Sequence, residues 1–329
     1  MNFKKLLLSL SLLTLLSAGS VSSVSANLII NFDYSTDTSN FFSVGSAARA
    51  SLEAAGDFFE TYVYDDLNAI VGDGSATWTL DYFHPATGVL TSATDLTVAA
   101  DTITVFVGAR DLGGSTLGTA GPGGFSFMNA TQAFADNMWS RGEGTGNQAA
   151  VDGATANEFG PWGGSLAIDS DSTWNFDHTV QPTAGQNDLY SVILHEIAHV
   201  LGMGISDSWD NLINASNEFT GKQAVGSFGG NIPMQTGGDH WAAGTTSTVF
   251  LTSTSQEAAM DPNITTGTRK LFTNLDMAGL DDLGWKVNPE PSTFVLAGIG
   301  ILGAAAAERV RRRRRRGAES AAEESRQDA

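Results

Sequence analysis

The stretch "HEIAHVLGMGISD", residues 195–207, determines how the rest of the chain is interpreted. Residues four apart lie above one another on one face of a helix, so a helix here would present the imidazoles of His195 and His199 side by side. Glu196 directly follows the first histidine, and Gly202 stands where such a helix would end. Apolar residues occupy the other faces from residue 189 onward. The pattern predicts a helix over residues 188–201 with a chemically active face.

Two histidines and a glutamate at this spacing are typical of a zinc site. Neutral imidazole is a zinc ligand, and a glutamate next to the first ligand can take a proton from a zinc-bound water. A catalytic zinc ion normally takes three protein ligands and keeps one position open. In the compact form of the motif the third ligand comes six residues after the second histidine, but Ile205 stands there. A third ligand must therefore come from elsewhere.

Three residues are candidates for this third ligand. Asp207 lies two residues too late for the compact pattern. Glu218 follows His199 at about the separation that a thermolysin-like enzyme uses, although its surroundings are typical of a loop. We favour His240, in "TGGDHWAAG", because two glycines precede it and let the backbone approach closely, while Trp241 can pack to fix the loop.

The sequence beyond the helix resembles the metzincin metallopeptidases, and in particular their leishmanolysin-like branch. In that branch an insertion separates the glycine from a third histidine, which a tryptophan follows. The similar segments are "SFGGNIPMQTGGDHW" (227–241), "AAMDP" (258–262), which resembles a Met-turn, and "DMAGLDDLGW" (276–285), which resembles the closing helix. The resemblance implies an α+β, metzincin-like domain with a mixed sheet, an active-site helix and a C-terminal helix.

The same resemblance implies a role for each matching residue. The zinc ligands would be His195, His199 and His240, the general base Glu196, the turn residue Gly202 and the hydrophobic floor of the site Met260.

Hydrophobic patterning outside the motif is consistent with an α+β fold. Residues 40–63 have helical spacing, and residues 273–285 predict a last helix that Gly284 stops. The segments 29–34, 76–83, 96–112 and 163–169 predict strands, and the glycine-rich segments 111–124 and 142–148 predict long surface loops.

Both ends of the chain have the pattern of processing signals. Residues 1–26 combine two lysines, a short apolar run and a small-residue cleavage site, which predicts a secretory signal peptide. Residues 289–329 combine Pro-Glu-Pro, an apolar segment and six consecutive arginines, and they resemble the PEP-CTERM sorting signal processed by exosortases of Gram-negative bacteria. We expect a catalytic domain at 27–288, transient membrane anchoring through the tail, and export to the cell envelope or extracellular matrix.

Composition narrows the class of partner. The formal net charge of −19 disfavours nucleic acid and anionic lipid as partners. The sequence has no cysteine, so it cannot form a disulfide framework.

Asp169, Asp171 and Asp177 offer carboxylates to a calcium ion, but no loop template fits them. We interpret His84 and His178 as surface or satisfied core residues.

Together these features predict an exported zinc endopeptidase that acts on protein or peptide substrates. The alternative from another class is a non-catalytic cell-envelope protein, associated with exopolysaccharide, on the same fold. Glu196 favours the enzyme, because a structural metal site does not require a carboxylate at that position.

Overall fold

The computed structural model describes residues 27–72, 77–143 and 148–288. Its helices, besides a 3-10 turn at Tyr34–Thr36, are Ala47–Tyr62 (α1), Gln132–Ser140 (α2), Gln148–Val151 (α3), Leu189–Val200 (α4), Asp207–Asp210 (α5), Lys222–Phe228 (α6) and Asn274–Asp282 (α7). Its strands are Ile29–Asp33 (β1), Val63–Tyr64 (β2), Thr77–Phe83 (β3), Leu90–Thr94 (β4), Thr102–Arg110 (β5), Gly118–Pro122 (β6), Gly124–Met128 (β7), Gly163–Asp169 (β8), Trp174–Asn175 (β9), Asn187–Asp188 (β10), Glu218–Phe219 (β11), Ile232–Pro233 (β12), Thr246–Thr248 (β13), Ser255–Glu257 (β14) and Lys286–Val287 (β15).

A mixed four-stranded sheet forms the frame, with strand order β1-β5-β8-β6. The first three strands are parallel and β6 runs antiparallel along β8. The central strand β5 is buried on both faces, as its nearly continuous apolar sequence requires. Val105 and Val107 point into the main core with the helices, whereas Phe106 points into a second core.

That second core is covered by a smaller antiparallel sheet of order β4-β3-β7. Alternate residues of β3 are buried, namely Trp78, Leu80 and Tyr82, and Tyr82 stacks on Phe106 with ring centroids 4.2 Å apart. The two sheets and the helices therefore form three layers.

Helices α1 and α4 pack on the other face of the large sheet. The apolar stripe of α1, at Leu52, Ala55 and Phe59, is fully buried in the same core as the apolar faces of α4 and α7. Ser46 caps α1 by accepting a hydrogen bond from the amide of Arg49. Helix α4 thus lies across the molecule with one face on the core and the other toward a cleft.

Most predicted elements are present, with two corrections. The strand predicted at 96–112 is the shorter Thr102–Arg110. The segment 111–124 is wrong as a surface loop, since Gly118–Pro122 is the edge strand β6 of the main sheet and lines the cleft. Its hydrogen bonds to β8 stabilise it where its Gly- and Pro-containing sequence has little strand propensity of its own.

The predicted signal peptide and sorting tail lie outside the described residues. Within residues 27–72, 77–143 and 148–288, no helix is long and apolar enough to cross a membrane.

Candidate metal centre

Helix α4 is fixed at its N-terminus by a buried network. Asp188 caps the helix by accepting hydrogen bonds from the amide and hydroxyl of Ser191, at 3.2 and 2.6 Å. The guanidinium of Arg269 binds both oxygens of the same carboxylate, at 2.7 and 2.8 Å. A bidentate, buried ion pair fixes the orientation of both side chains, so the start of the helix is held against the segment around Arg269.

The C-terminus of α4 is a Schellman motif built on Gly202. The amide of Gly202 donates to the carbonyl of His199 at 3.0 Å, and that of Met203 donates to Ala198, also at 3.0 Å. Gly202 has φ +100°, a conformation that favours glycine. The predicted turn glycine therefore does end the helix, and it brings the carbonyl of Met203 back toward His199.

Three histidines converge beside this helix. The Nε2 atom of His240 lies 3.0 Å from that of His195 and 3.2 Å from that of His199, and the two helical Nε2 atoms are 3.1 Å apart. Nδ1 of His195 donates to the carbonyl of Ala259 at 2.7 Å, and Nδ1 of His199 donates to that of Met203 at 2.8 Å. Protons held at Nδ1 leave the Nε2 lone pairs of these two rings facing each other and His240.

This arrangement fits a tetrahedral metal ion. Zinc–nitrogen bonds of 2.0–2.1 Å in tetrahedral geometry separate the ligand atoms by about 3.3 Å, close to the 3.0–3.2 Å observed. Converging lone pairs repel each other unless a cation lies between them. Among the described residues, these three histidines are also the one group of His, Cys, Asp or Glu side chains that could hold a metal ion.

Burial keeps the three imidazoles in the form that binds metal. It lowers the pKa of His195 well below its ordinary value, with His199 and His240 adding to the effect. Burial also lowers the pKa of His199 to about 4 and, to a smaller extent, that of His240. The ligands would therefore be neutral at pH 7 without metal, and binding would release few protons.

Glu196 lies in the same buried environment, which raises its pKa to about 8. A cation close to the carboxylate favours its ionised form. A positive charge in the neighbouring site would therefore be needed to keep most of this carboxyl group ionised at pH 7.

His240 reaches the site through a loop anchored to Met260 and to α7. The amide of Trp241 donates to the carbonyl of Met260 at 3.1 Å, and its indole Nε1 donates to the carboxylate of Asp276 at 2.9 Å. Asp276 also accepts hydrogen bonds from the amides of Ala259 and Met260 at 2.8 and 3.1 Å. Met260 is fully buried. One carboxylate thus connects the His240 loop with the turn whose carbonyl orients His195.

The histidines and Glu196 open into a cleft of about 620 Å³. Strand β6 forms one long wall and passes Glu196 at Gly118, where an added Cβ would lie 2.6 Å from the carboxylate. The segment 261–264, Lys270, Ile205 and Asp239 also line the cleft.

The other candidate ligands lie apart from this group. Glu218 accepts hydrogen bonds from Asn214 and Asn231, which keep the pKa of its carboxyl below the usual range. Asp207 begins α5 and accepts a hydrogen bond from the amide of Gly153 at 2.6 Å.

The aspartates considered for calcium, and the two remaining histidines, have local partners. Asp169 accepts from Leu112 and Ser172, and Asp177 accepts from Thr179. His84 accepts a hydrogen bond from the amide of Ala86, and the His178 ring lies tilted against that of Tyr190, with centroids 5.9 Å apart.

Sequence reasoning missed two residues that support the site. Asp276 was available from the capping-box pattern Thr273-x-x-Asp276, which α7 does form. Gly204 contacts the His240 loop. Nothing in the sequence indicated this contact, apart from the presence of a second glycine shortly after the helix.

Comparisons with known proteins match parts of the chain. The family model Matrixin matches residues 124–226, and the PEP-CTERM protein-sorting motif matches residues 289–315. Metalloendoproteinase 4-MMP of Arabidopsis thaliana is 41% identical over 58 residues, which cover 18% of this chain and 17% of that protein. No solved structure matches the chain.

The Matrixin match includes the helix with His195, Glu196 and His199 and stops before His240. The PEP-CTERM motif indicates a protein that is exported and processed at the envelope. The chain has an α+β, metzincin-like fold, and the matches support a zinc metallopeptidase.

Proposed function

We propose that the chain is an exported zinc endopeptidase in which His195, His199 and His240 bind the ion and Glu196 is the general base. The observation that carries this proposal is the convergence of three Nε2 atoms, two of them with their Nδ1 protons directed to backbone carbonyls. His240 makes the ligand spacing leishmanolysin-like, with a long insertion between the turn glycine and the third histidine.

The chemistry follows from the residues around the ion. His195, His199 and His240 would hold the zinc ion, which would supply Lewis-acid chemistry and a water of lowered pKa at the open position. Glu196 accepts the proton of the attacking water on its carboxylate and passes it to the leaving amine. The buried position of Glu196 keeps bulk water from competing for that proton.

Strand β6 provides the means to hold a peptide. It is the edge strand of the main sheet, and it lines the cleft beside Glu196. An edge strand presents unpaired amides and carbonyls, to which an extended peptide can add as a further strand. Main-chain pairing of this kind would place a peptide bond next to the histidines with little dependence on sequence.

The ends of the chain would govern its location. We propose that residues 1–26 direct export and that an exosortase-type enzyme processes the tail after transient anchoring in the inner membrane. The PEP-CTERM motif at residues 289–315 supports this processing.

Replacing Glu196 with glutamine tests the catalytic part of the proposal. Glutamine keeps the shape of the side chain but cannot take a proton, so kcat for casein or a quenched peptide should fall by about 10²–10⁴-fold. Zinc content, measured by atomic absorption, should equal that of the unsubstituted protein.

The rival function would give a different result. A non-catalytic cell-envelope protein would show no hydrolysis in the pure, folded, zinc-loaded state, and neither a chelator nor Glu196→Gln would change that. This outcome would exclude the peptidase.

A second prediction concerns the charge of the substrate. Asp239 forms no ion pair with any described residue, and it lines the cleft together with Ile205, a residue that is 44% exposed. The one Lys or Arg side chain lining the cleft in the described chain, Lys270, is paired with Glu257 and Asp261. An apolar side chain and an unpaired carboxylate in one cleft suit the stem and the head of a lysine or arginine side chain.

We therefore expect cleavage sites in a peptide library to be enriched in a basic residue at one fixed position. Asp239→Asn should reduce that preference by up to about fivefold, which corresponds to the upper end of an exposed ion pair. Asp57→Asn, which removes the same charge outside the cleft, should leave it unchanged. An equal preference in all three proteins would contradict the assignment.

A further inference from the structure

Of the three histidines proposed to bind zinc, His195, His199 and His240, only His240 lacks a hydrogen bond that orients its ring in the described part of the chain. Nδ1 of His195 and Nδ1 of His199 each donate to a backbone carbonyl, whereas Nδ1 of His240 is buried and has no hydrogen-bond partner in the described part of the chain. Groups that orient a ligand from behind normally fix its position and raise its affinity for the metal. The position of His240 must therefore depend on the packing of its backbone.

That backbone packs against the turn that ends α4. Gly204 is buried, with φ +75°, and a Cβ built on it would lie 2.1 Å from the carbonyl oxygen of Asp239 and 3.0 Å from its Cα. The contact is with main-chain atoms, which cannot swing aside as the end of a side chain can. Asp239 immediately precedes His240, so the turn touches the chain one residue before the ligand.

The same turn also orients a second ligand. The carbonyl of Met203, next to Gly204, accepts the Nδ1 proton of His199 at 2.8 Å. Residues 202–204 therefore contact the last ligand of the helix through a hydrogen bond and the His240 loop through close packing. Hydrogen bonds on either side fix the loop further, from Trp209 to the carbonyl of Gly238 and from Gln235 to the carbonyl of His240.

We propose that Gly204 is a positioning residue for the third zinc ligand: the bare backbone of the turn sets the distance at which His240 meets the two helical histidines. This inference rests on the zinc site proposed above. A carbon and a carbonyl oxygen normally stay about 3.3 Å apart, so a methyl group at residue 204 would have to push Asp239 away by about 1 Å. Metal–ligand distances tolerate only about 0.2 Å, and the shift would detach His240.

The test is the affinity for zinc and the spectrum of the cobalt-substituted protein. Gly204→Ala should weaken zinc binding, measured by competition with a chromophoric chelator, by about 100-fold. With Co²⁺ in place of zinc, the visible absorption of the bound cobalt should fall, because more than one water should enter where the single imidazole leaves, and a higher coordination number weakens this absorption. Circular dichroism of the metal-free protein should stay as in the unsubstituted chain.

Gly244→Ala is the matched control. Gly244 also has a positive φ, +81°, but a Cβ there would meet nothing within 4 Å. It therefore carries the same backbone strain without the contact, and both zinc affinity and the cobalt spectrum should be unchanged.

A double substitution shows whether Gly204 acts through His240. In the His240→Ala background, Gly204→Ala should weaken the residual zinc binding no further, because the ligand that it positions is already absent. Independent, multiplying losses would overturn the inference. So would equal zinc affinity in Gly204→Ala and Gly244→Ala, or failure of metal-free Gly204→Ala alone to fold, since the contact would then serve the fold as a whole. An unsubstituted protein that binds no zinc would instead contradict the proposed function.

Discussion

His240→Ala is expected to abolish both zinc retention and peptide hydrolysis. The substitution leaves two imidazoles on one helix, and a catalytic zinc ion normally needs three protein ligands. Changes in residues that merely orient a ligand cost 10–100-fold in affinity, so loss of a ligand itself should cost more than about 100-fold. Zinc remaining after gel filtration and the rate of casein digestion measure the two effects.

Glu218→Ala is the informative comparison, because Glu218 is the ligand that a thermolysin-like site would use. Its carboxylate accepts hydrogen bonds from Asn214 and Asn231 and lies outside the histidine group. The variant should retain zinc and most activity. The reverse result, with zinc lost from Glu218→Ala and kept by His240→Ala, would transfer the third ligand to Glu218 and the protein to the thermolysin-like class.

The active helix could be predicted from the sequence because two local signals agree there. Apolar residues recur at helical spacing through 189–201, and Gly202 supplies the positive φ that ends the helix. The strands Thr102–Arg110 and Gly163–Asp169 were similarly visible as runs suited to a buried sheet. Local patterning therefore predicted these strands and the helix that carries two of the three histidines, whereas the mixed sheet was implied by the family resemblance.

Strand β6 could not be predicted in this way. Its sequence, Gly-Thr-Ala-Gly-Pro, has neither alternation nor β-branched residues beyond one threonine. It becomes a strand because β8 offers a partner edge, and its small residues allow Glu196 and Ile205 to approach closely. Because backbone and small residues form this wall of the cleft, the pattern of side chains in the sequence does not indicate it. Under the proposed function, β6 is nevertheless the element best suited to hold a peptide.

The position of His240 beside the two helical histidines could not be predicted from local sequence patterns either. The position of His240 depends on contacts between segments far apart in sequence, such as Gly204 with Asp239 and Trp241 with Asp276. Family resemblance indicated which histidine to choose, but not what holds it. Tertiary hydrogen bonds supply that information, and Asp276 accepts the largest share of them.

Asp276→Ala is expected to lower the free energy of unfolding by about 4 kcal/mol, the range found when one partner of a buried charged network is removed. The residue is fully buried, and its carboxylate accepts five hydrogen bonds. These come from the indole of Trp241, from the amides of Ala259 and Met260, and from the amide and hydroxyl of Thr273. Alanine would leave all five donors buried without an acceptor. Urea denaturation of the metal-free protein measures the loss.

The same substitution should weaken zinc binding, because Trp241 adjoins His240 and the carbonyl of Ala259 orients His195. Asp281→Ala on the same helix is the control. Its carboxylate accepts no hydrogen bond from the described residues, and burial already raises its pKa, so stability should change by less than about 0.5 kcal/mol. If Asp276→Ala lowered the free energy of unfolding no more than Asp281→Ala, apolar packing alone would have to hold residues 258–262 and the His240 loop in place. The five hydrogen bonds would then add nothing that the buried tryptophan and methionine do not already provide.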